Sequence, residues 1–277
     1  MDIFMRFPEG RKKALTLSYD DGVEQDRRLV EILQKNGLKG TFNLNSGCYA
    51  GEGTVYPEGT IHRRMTKQQV TELFADSGME VAVHALTHPF LEKLPSHLCL
   101  QEVMKDRENL EAQFGRIVRG MAYPFGTYND EVVNCLSCAG IAYARTVISS
   151  GSFKIPENWL RLEATCHHND ERLMDLAKKF VEETTDRESW LFYLWGHSYE
   201  FEANDNWQVI EQFAEYTGGH EDIWYATNIE IYDYVQASRR LICSMDGKRV
   251  SNPSSQKLYF ETGGKICAVD SGQTLCL

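Results

Sequence analysis

The sequence predicts an α/β fold, a barrel of parallel strands with seven or eight strand–helix units and a small antiparallel β appendage at the C-terminal end. Three observations predict it. Short apolar runs alternate along the chain with segments whose apolar residues recur at helical spacing. Gly37, Gly78, Gly115 and Gly140 each stand between a helical segment and the next apolar run, where a left-handed residue ends a helix. Polar, chemically capable side chains gather just past successive apolar runs, as they do where parallel strands converge on the mouth of a barrel. An open, doubly wound sheet would bring only a few of those groups together.

Strands are expected at 14–19, 40–44, 80–84, 120–123, 141–147, 159–165, 190–195 and 223–227. Helical spacing marks Leu29/Ile32/Leu33, Val70/Leu73/Phe74, Leu100/Val103/Met104, Leu173/Leu176/Ala177 and Trp207/Ile210/Phe213. Thr66 with Gln69 forms a capping-box pattern, and Asn129 and Asp205 are natural N-caps. After about residue 237 the pattern changes to short alternating segments between turn signals at Asp246-Gly247, Asn252-Pro253, Gly263-Gly264 and Asp270-Ser271-Gly272. The chain therefore divides into a barrel over 1–236 and a β appendage over 237–277, whose expected role is to cover part of the barrel.

A formal charge of −11 over 277 residues argues against nucleic acid as a partner, which would call for a basic stripe. No apolar stretch approaches the ~20 residues that span a bilayer. The acidic start, broken at Pro8, does not read as a secretory segment, so a cytoplasmic location is expected. The eight cysteines read as free thiols, and the Cys135-x-x-Cys138 pair as helix packing.

The chemistry starts at Ser18-Tyr19-Asp20-Asp21-Gly22, where an apolar run gives way to a helix. Adjacent carboxylates repel and raise each other's pKa, and a divalent cation relieves that. One Asp can ligate the ion while its neighbour stays free as a base. His84-x-x-x-His88 places two imidazoles on one face of a helical turn, and Ala85 rules out the zincin motif, which has Glu there. With Asp21 these form an Asp-His-His set that leaves positions open for water and substrate.

Asp20-Asp21-Gly22, His84-x-x-x-His88, Tyr123-Pro124-Phe125-Gly126 and Leu194-Trp195-Gly196-His197 resemble, in order, the motifs of the polysaccharide deacetylases, carbohydrate esterase family four. The resemblance covers roughly residues 10–235. It implies a distorted (β/α) barrel and metal-assisted removal of acetyl groups from a carbohydrate, N-acetyl ahead of O-acetyl. It also implies that Asp21, His84 and His88 ligate a divalent ion. Mixed Asp/His ligation suits zinc first, and also cobalt, nickel, manganese or iron. Asp20 is then the general base and His197 the acid, with the backbone N–H near Phe125 serving the oxyanion. Tyr123, Phe125, Arg161 and Trp195 are expected around the substrate.

Two positions depart from the family pattern. Ala122 stands where an Arg normally holds the base carboxylate; Arg119 is offset, and Arg161 is either a substitute from another strand or a member of an ordinary ion pair. The motif whose Asp and Trp orient the acid His is not recognisable, so His197 has no assigned partner. Asn43 and Asn45 either orient substrate and water or cap the turn after their strand. His167 and His168 follow a strand, so one of them could line the mouth, but they read first as a surface loop; His62, His97 and His220 read as solvated.

The expected function is metal-dependent carbohydrate deacetylation, with an acetylated saccharide as substrate, no nucleic acid and no membrane span. Two alternatives stand beside it: hydrolysis of a small non-sugar amide by the same metal chemistry, and a relative that binds saccharide without cleaving it. The sequence does not address oligomeric state.

Overall fold

The computed structural model describes residues 2–185 and 187–277. A short strand, Phe4–Arg6 (β1), precedes Lys13–Asp20 (β2), which is buried along its whole length. Strands and helices then alternate: α1 Asp26–Lys35, β3 Gly40–Leu44, α2 Lys67–Phe74, β4 Glu80–Val83, α3 Ser96–Phe114, β5 Gly120–Ala122, α4 Asp130–Cys138 and β6 Tyr143–Ser149. Two short strands, β7 Leu162–Ala164 and β8 Cys166–His167, lead to α5 Leu173–Glu182 and β9 Trp190–Gly196. After these come α6 Tyr199–Ala203, α7 Gln208–Thr217, β10 Ile223–Tyr225 and α8 Asn228–Ser238.

Strands β2 to β10 form one parallel array, ordered β7-β6-β5-β4-β3-β2-β9-β8, with β10 against the start of β2 (Ile223 opposite Lys13). β7 lies beside β6 and β8 beside β9, so the stretch from Leu162 to His167 bridges the two ends of the array. The result is the expected distorted barrel. Residues 159–161, expected to begin a strand, form a 3-10 turn instead, and pairing starts at Leu162.

The period-two alternation of β2 explains the two sides of the barrel wall. Leu15, Leu17 and Tyr19 join the large apolar core under the helices. Thr16, Ser18 and Asp20 instead enter a polar network. Thr16 Oγ1 donates to Asn228 Oδ1 (2.8 Å), and Asn43 Nδ2 donates to Ser18 Oγ (2.9 Å). Thr41 Oγ1 and Tyr143 Oη donate to the buried Glu80 (2.8 and 2.7 Å), whose carboxyl burial pushes up to about 7. Buried polar groups are tolerated here because they are paired.

Local signals act as expected at Thr66, whose capping box with Gln69 starts α2, and at Asn129, whose Oδ1 accepts from Val132 N at 2.9 Å. Asp205 does not cap: it sits in a left-handed turn (φ 48°), and α7 begins beyond it without a side-chain cap.

The C-terminal strands β11 Ile242–Cys243, β12 Arg249–Ser251, β13 Leu258–Thr262, β14 Lys265–Val269 and β15 Thr274–Cys276 build two small antiparallel sheets. One contains β11, β12 and β15; the other contains β13, β14 and the N-terminal β1, with Met5 opposite Phe260. Val250, Leu258, Phe260 and Val269 pack with Phe7, Tyr234 and Val235 in a second core. The fully buried Arg6 guanidinium pairs with Glu261 at 2.9 Å across that seam. All eight cysteines are unpaired thiols. Among the described residues no helix is long and apolar enough to cross a membrane.

Candidate active site

β2 ends by pointing Asp20 into the barrel, and the chain then turns through Asp21 (φ 88°) and Gly22 (φ 66°). This turn separates the adjacent carboxylates. Asp21, Ala85, His88 and Phe125 all adopt positive φ without being glycine. Such conformations cost free energy and persist where the surroundings enforce them.

Asp20 is buried beside a guanidinium and two imidazoles. One of its oxygens, Oδ2, pairs with Arg145 of β6, and lies 3.8 Å from His84 Nε2 and 3.7 Å from His197 Nε2. Asn43 Nδ2 donates to the other oxygen at 2.8 Å. Burial alone would raise its pKa, but the Arg145 guanidinium holds it below the usual carboxylate range. Arg161, a candidate to hold Asp20, instead pairs with Asp130 at the surface. Arg145 takes that place because β6 turns it inward, with its guanidinium 4.3 Å from the ring centre of Trp195. An Arg inside an otherwise apolar strand run was the signal available, since a buried charge needs a partner.

Asp21, His84 and His88 have donor atoms that all lie within 4.8 Å of one another. His84 Nδ1 donates to Ala122 O at 2.8 Å, which leaves the lone pair on Nε2. Burial lowers both imidazole pKa values, that of His88 to about 4, so both rings are neutral. One carboxylate and two neutral imidazoles fit a divalent first-row cation. The His84–His88 segment is not the expected helical turn. It is a loop past β4 with positive φ at Ala85 and His88, and the two rings meet at 4.8 Å. Asp106 of α3 anchors this loop, accepting from His84 N (3.1 Å) and Ser46 N (2.7 Å).

Two residues reach Asp21 that the sequence did not single out for this role. Arg64 Nη2 donates to its Oδ1 at 2.8 Å, and His62, exposed as expected, also places Nε2 3.2 Å from Oδ2. Both arrive on the loop between β3 and α2, a contact no local pattern encodes.

His197 finds its partner three residues on: its Nδ1 lies 2.9 Å from Glu200 Oε1. Asn169 Nδ2 donates to Glu200 Oε2 at 2.8 Å, and His168 Nε2 approaches the same oxygen at 2.9 Å. His168, expected on the surface, is buried, and its ring occupies the space where a Cβ on Gly196 would lie 2.0 Å from Nδ1. His167, His197 and Glu200 also lie close enough to share an ion. However, His167 Nδ1 accepts from Asn169 N at 3.1 Å, which puts the ring proton on Nε2, facing Glu200. This cluster is therefore a hydrogen-bond network. Burial would lower the pKa of His197, but Glu200 and the two aspartates outweigh it and raise it above the ordinary imidazole value.

Of the expected substrate contacts, Phe125 is half exposed at the opening, 4.5 Å from the His88 ring and stacked on Phe90 at 3.9 Å. Its 3-10 turn bonds through Gly126 N and Thr127 N, neither of which uses the Phe125 N–H. Tyr123 is buried, with its hydroxyl donating to Leu160 O at 2.7 Å, and Trp195 is buried beneath Arg145. Tyr199 takes a place at the opening instead, 5.0 Å from the His62 ring and 5.3 Å from that of His197.

A parallel barrel whose mouth joins an Asp-His-His donor set to an Asp and a His defines a protein equipped for metal-assisted acid–base chemistry. Residues 8–144, just under half of the chain, match the family model described as polysaccharide deacetylase, a family whose members are generally divalent-metal-dependent deacetylases. His197 and Glu200 lie beyond the matched residues. Among solved structures, a Mycobacterium smegmatis protein classed as a polysaccharide deacetylase is similar at 16% identity and TM-score 0.60, covering 85% of this chain and 94% of that one. A family 4 carbohydrate esterase from Streptomyces lividans, in complex with acetate, is 15% identical at TM-score 0.50, covering 78% and 93%. These likenesses bear on the fold. A Streptococcus pyogenes deacetylase is 22% identical at TM-score 0.45 over 53% of this chain and 61% of that one, so the chain spans less than two thirds of that protein. No curated protein matches the chain.

Proposed function

We propose that this chain is a metal-dependent deacetylase that releases acetate from an acetylated saccharide, acting on N-acetyl in preference to O-acetyl groups. The observation that carries the reading is the position of Asp20 Oδ2, 3.8 Å from His84 of the donor set and 3.7 Å from His197. A base between a metal site and an acid is the arrangement that acyl hydrolysis needs.

Asp21, His84 and His88 would hold the ion, zinc by preference, which when bound supplies Lewis-acid polarisation of the acetyl carbonyl and acidifies water. Asp20, kept ionised by Arg145, accepts the proton of the attacking water as its oxygen bonds to the carbonyl carbon. The Phe125 N–H would donate to the developing oxyanion. His197, kept protonated by Glu200 and the aspartates, gives its proton to the departing nitrogen as the C–N bond breaks, yielding acetate and a free amine. The half-exposed Phe125 and the ring of Tyr199 flank the opening, where a sugar face can pack.

Acetate release tests the reading. The zinc-loaded protein is assayed on N-acetylated chito-oligosaccharides, acetylated xylan and a set of small amides. Release from the saccharides is expected. Turnover of small amides alone would replace the saccharide with a compact amide substrate, and saccharide binding without acetate would leave only a lectin-like role.

A further inference from the structure

We propose that Arg64 is the positioning residue of the donor set, fixing Asp21 directly and the turn that carries His84 and His88 through Asn45. This rests on the metal reading above. The guanidinium grips one residue at two points: Nη1 donates to the Asp21 carbonyl oxygen, and Nη2 to its Oδ1 at 2.8 Å. One planar fork thus sets the left-handed backbone of Asp21 (φ 88°) and the orientation of its carboxylate together. Nη1 also donates to Asn45 Oδ1 at 2.7 Å. Asn45 is fully buried at the end of β3, and its Nδ2 donates to Ala85 O at 2.8 Å and to His84 O. The strained turn at Ala85 is thereby joined to the strained turn at Asp21 through two side chains.

The loop that delivers Arg64 is itself pinned. Residues 63–65 run antiparallel to 22–24, with Glu24 N donating to Arg63 O (2.8 Å) and Met65 N to Gly22 O (3.0 Å). Arg64 is only 16% exposed, so its fork is protected from competition by water.

Two effects of this guanidinium oppose each other. As a charge beside Asp21 it repels a divalent ion. As a fork it holds a ligand carboxylate that keeps a further lone pair on Oδ1. The geometry points to the second effect as the larger, because all of the fork's contacts converge on the elements that carry the donors. Lys in its place would keep the charge and lose the fork.

Dissociation constants for Zn²⁺ and Co²⁺, measured by chelator competition on the whole chain, separate the two, with the Co²⁺ visible spectrum reporting ligand geometry. Arg64→Lys and Arg64→Gln should both weaken binding by about 10–100-fold, the usual effect of removing a residue that orients a metal ligand. Both should also change the Co²⁺ band. Asn45→Ala should weaken binding similarly, and adding it to Arg64→Lys should weaken it little further. A neighbouring charge alone predicts the reverse: tighter binding in Arg64→Gln and no change in Arg64→Lys. Either of those results in a variant with native circular dichroism overturns the proposal. If Arg64→Gln does not fold, the Lys and Asn45 variants decide it. A parent protein that binds neither ion overturns the metal reading itself, a different failure from parent and variants binding alike.

Discussion

Glu200 Oε1 lies 2.9 Å from His197 Nδ1, so the first turn of α6 returns a carboxylate to the imidazole that ends β9. The pair gives His197 a partner in a chain that lacks a recognisable orienting motif. Its charge also bears on protonation. The proposed mechanism requires His197 protonated, and its pKa lies above the ordinary imidazole value because Glu200 and the aspartates outweigh burial. Glu200→Gln removes part of that support. The alkaline limb of the kcat/KM profile should therefore move to lower pH, with kcat down roughly 10²-fold in mildly alkaline solution. An unmoved limb would show that Glu200 is not the partner.

Arg145 and Arg161 should behave oppositely when each is replaced by Met. Removing Arg145 strips Asp20 of its buried counter-charge, which should cost about 3–5 kcal/mol of stability. It should also raise the Asp20 pKa, carrying the acid limb of activity to higher pH. Arg161 pairs with the exposed Asp130 and lies 5.9 Å from the Tyr128 ring centre, both near the surface, so its loss should cost no more than about 0.5 kcal/mol. Denaturant unfolding and pH–rate profiles check both.

The twin aspartates should separate cleanly. Asp20→Asn should keep bound zinc, measured by elemental analysis, and lose about 10²–10⁴-fold in acetate release. Asp21→Ala should lose the zinc. Full turnover in Asp20→Asn would remove Asp20 as base.

Gly196 makes room for a neighbour. A Cβ there would stand 2.0 Å from the His168 ring, which lies between Tyr19 and Phe201 at 5.7 and 4.1 Å. Gly196→Ala should cost about 1–3 kcal/mol through overpacking, read as a lower unfolding midpoint.

Glu80 should tilt the pH dependence of stability. Burial carries its carboxyl from 4.5 to about 7, so across that window the folded chain binds more proton than the unfolded one. Stability therefore falls as pH rises through the window. Glu80→Gln should flatten that slope in thermal melts between pH 5 and 8, while Asp26 and Asp106, also held near 7, keep their contributions.

What could be read from residue order alone was whatever neighbours along the chain decide. The alternation of Leu15, Leu17 and Tyr19 with Thr16, Ser18 and Asp20 marks a strand, Thr66 with Gln69 starts a helix, and reactive groups fall at strand ends at Asp20, Asp21, His84 and His197. Those signals span a few residues, the reach of backbone geometry and capping hydrogen bonds. Only the tertiary structure decided that Arg145 rather than Arg161 meets Asp20, that His62 and Arg64 arrive at Asp21, and that Tyr123 and Trp195 are buried. Such meetings depend on strand register, on the tilt of the barrel wall and on the path of a long loop. These come from packing summed over the whole molecule, so residues 125 positions apart become partners without any local mark of it.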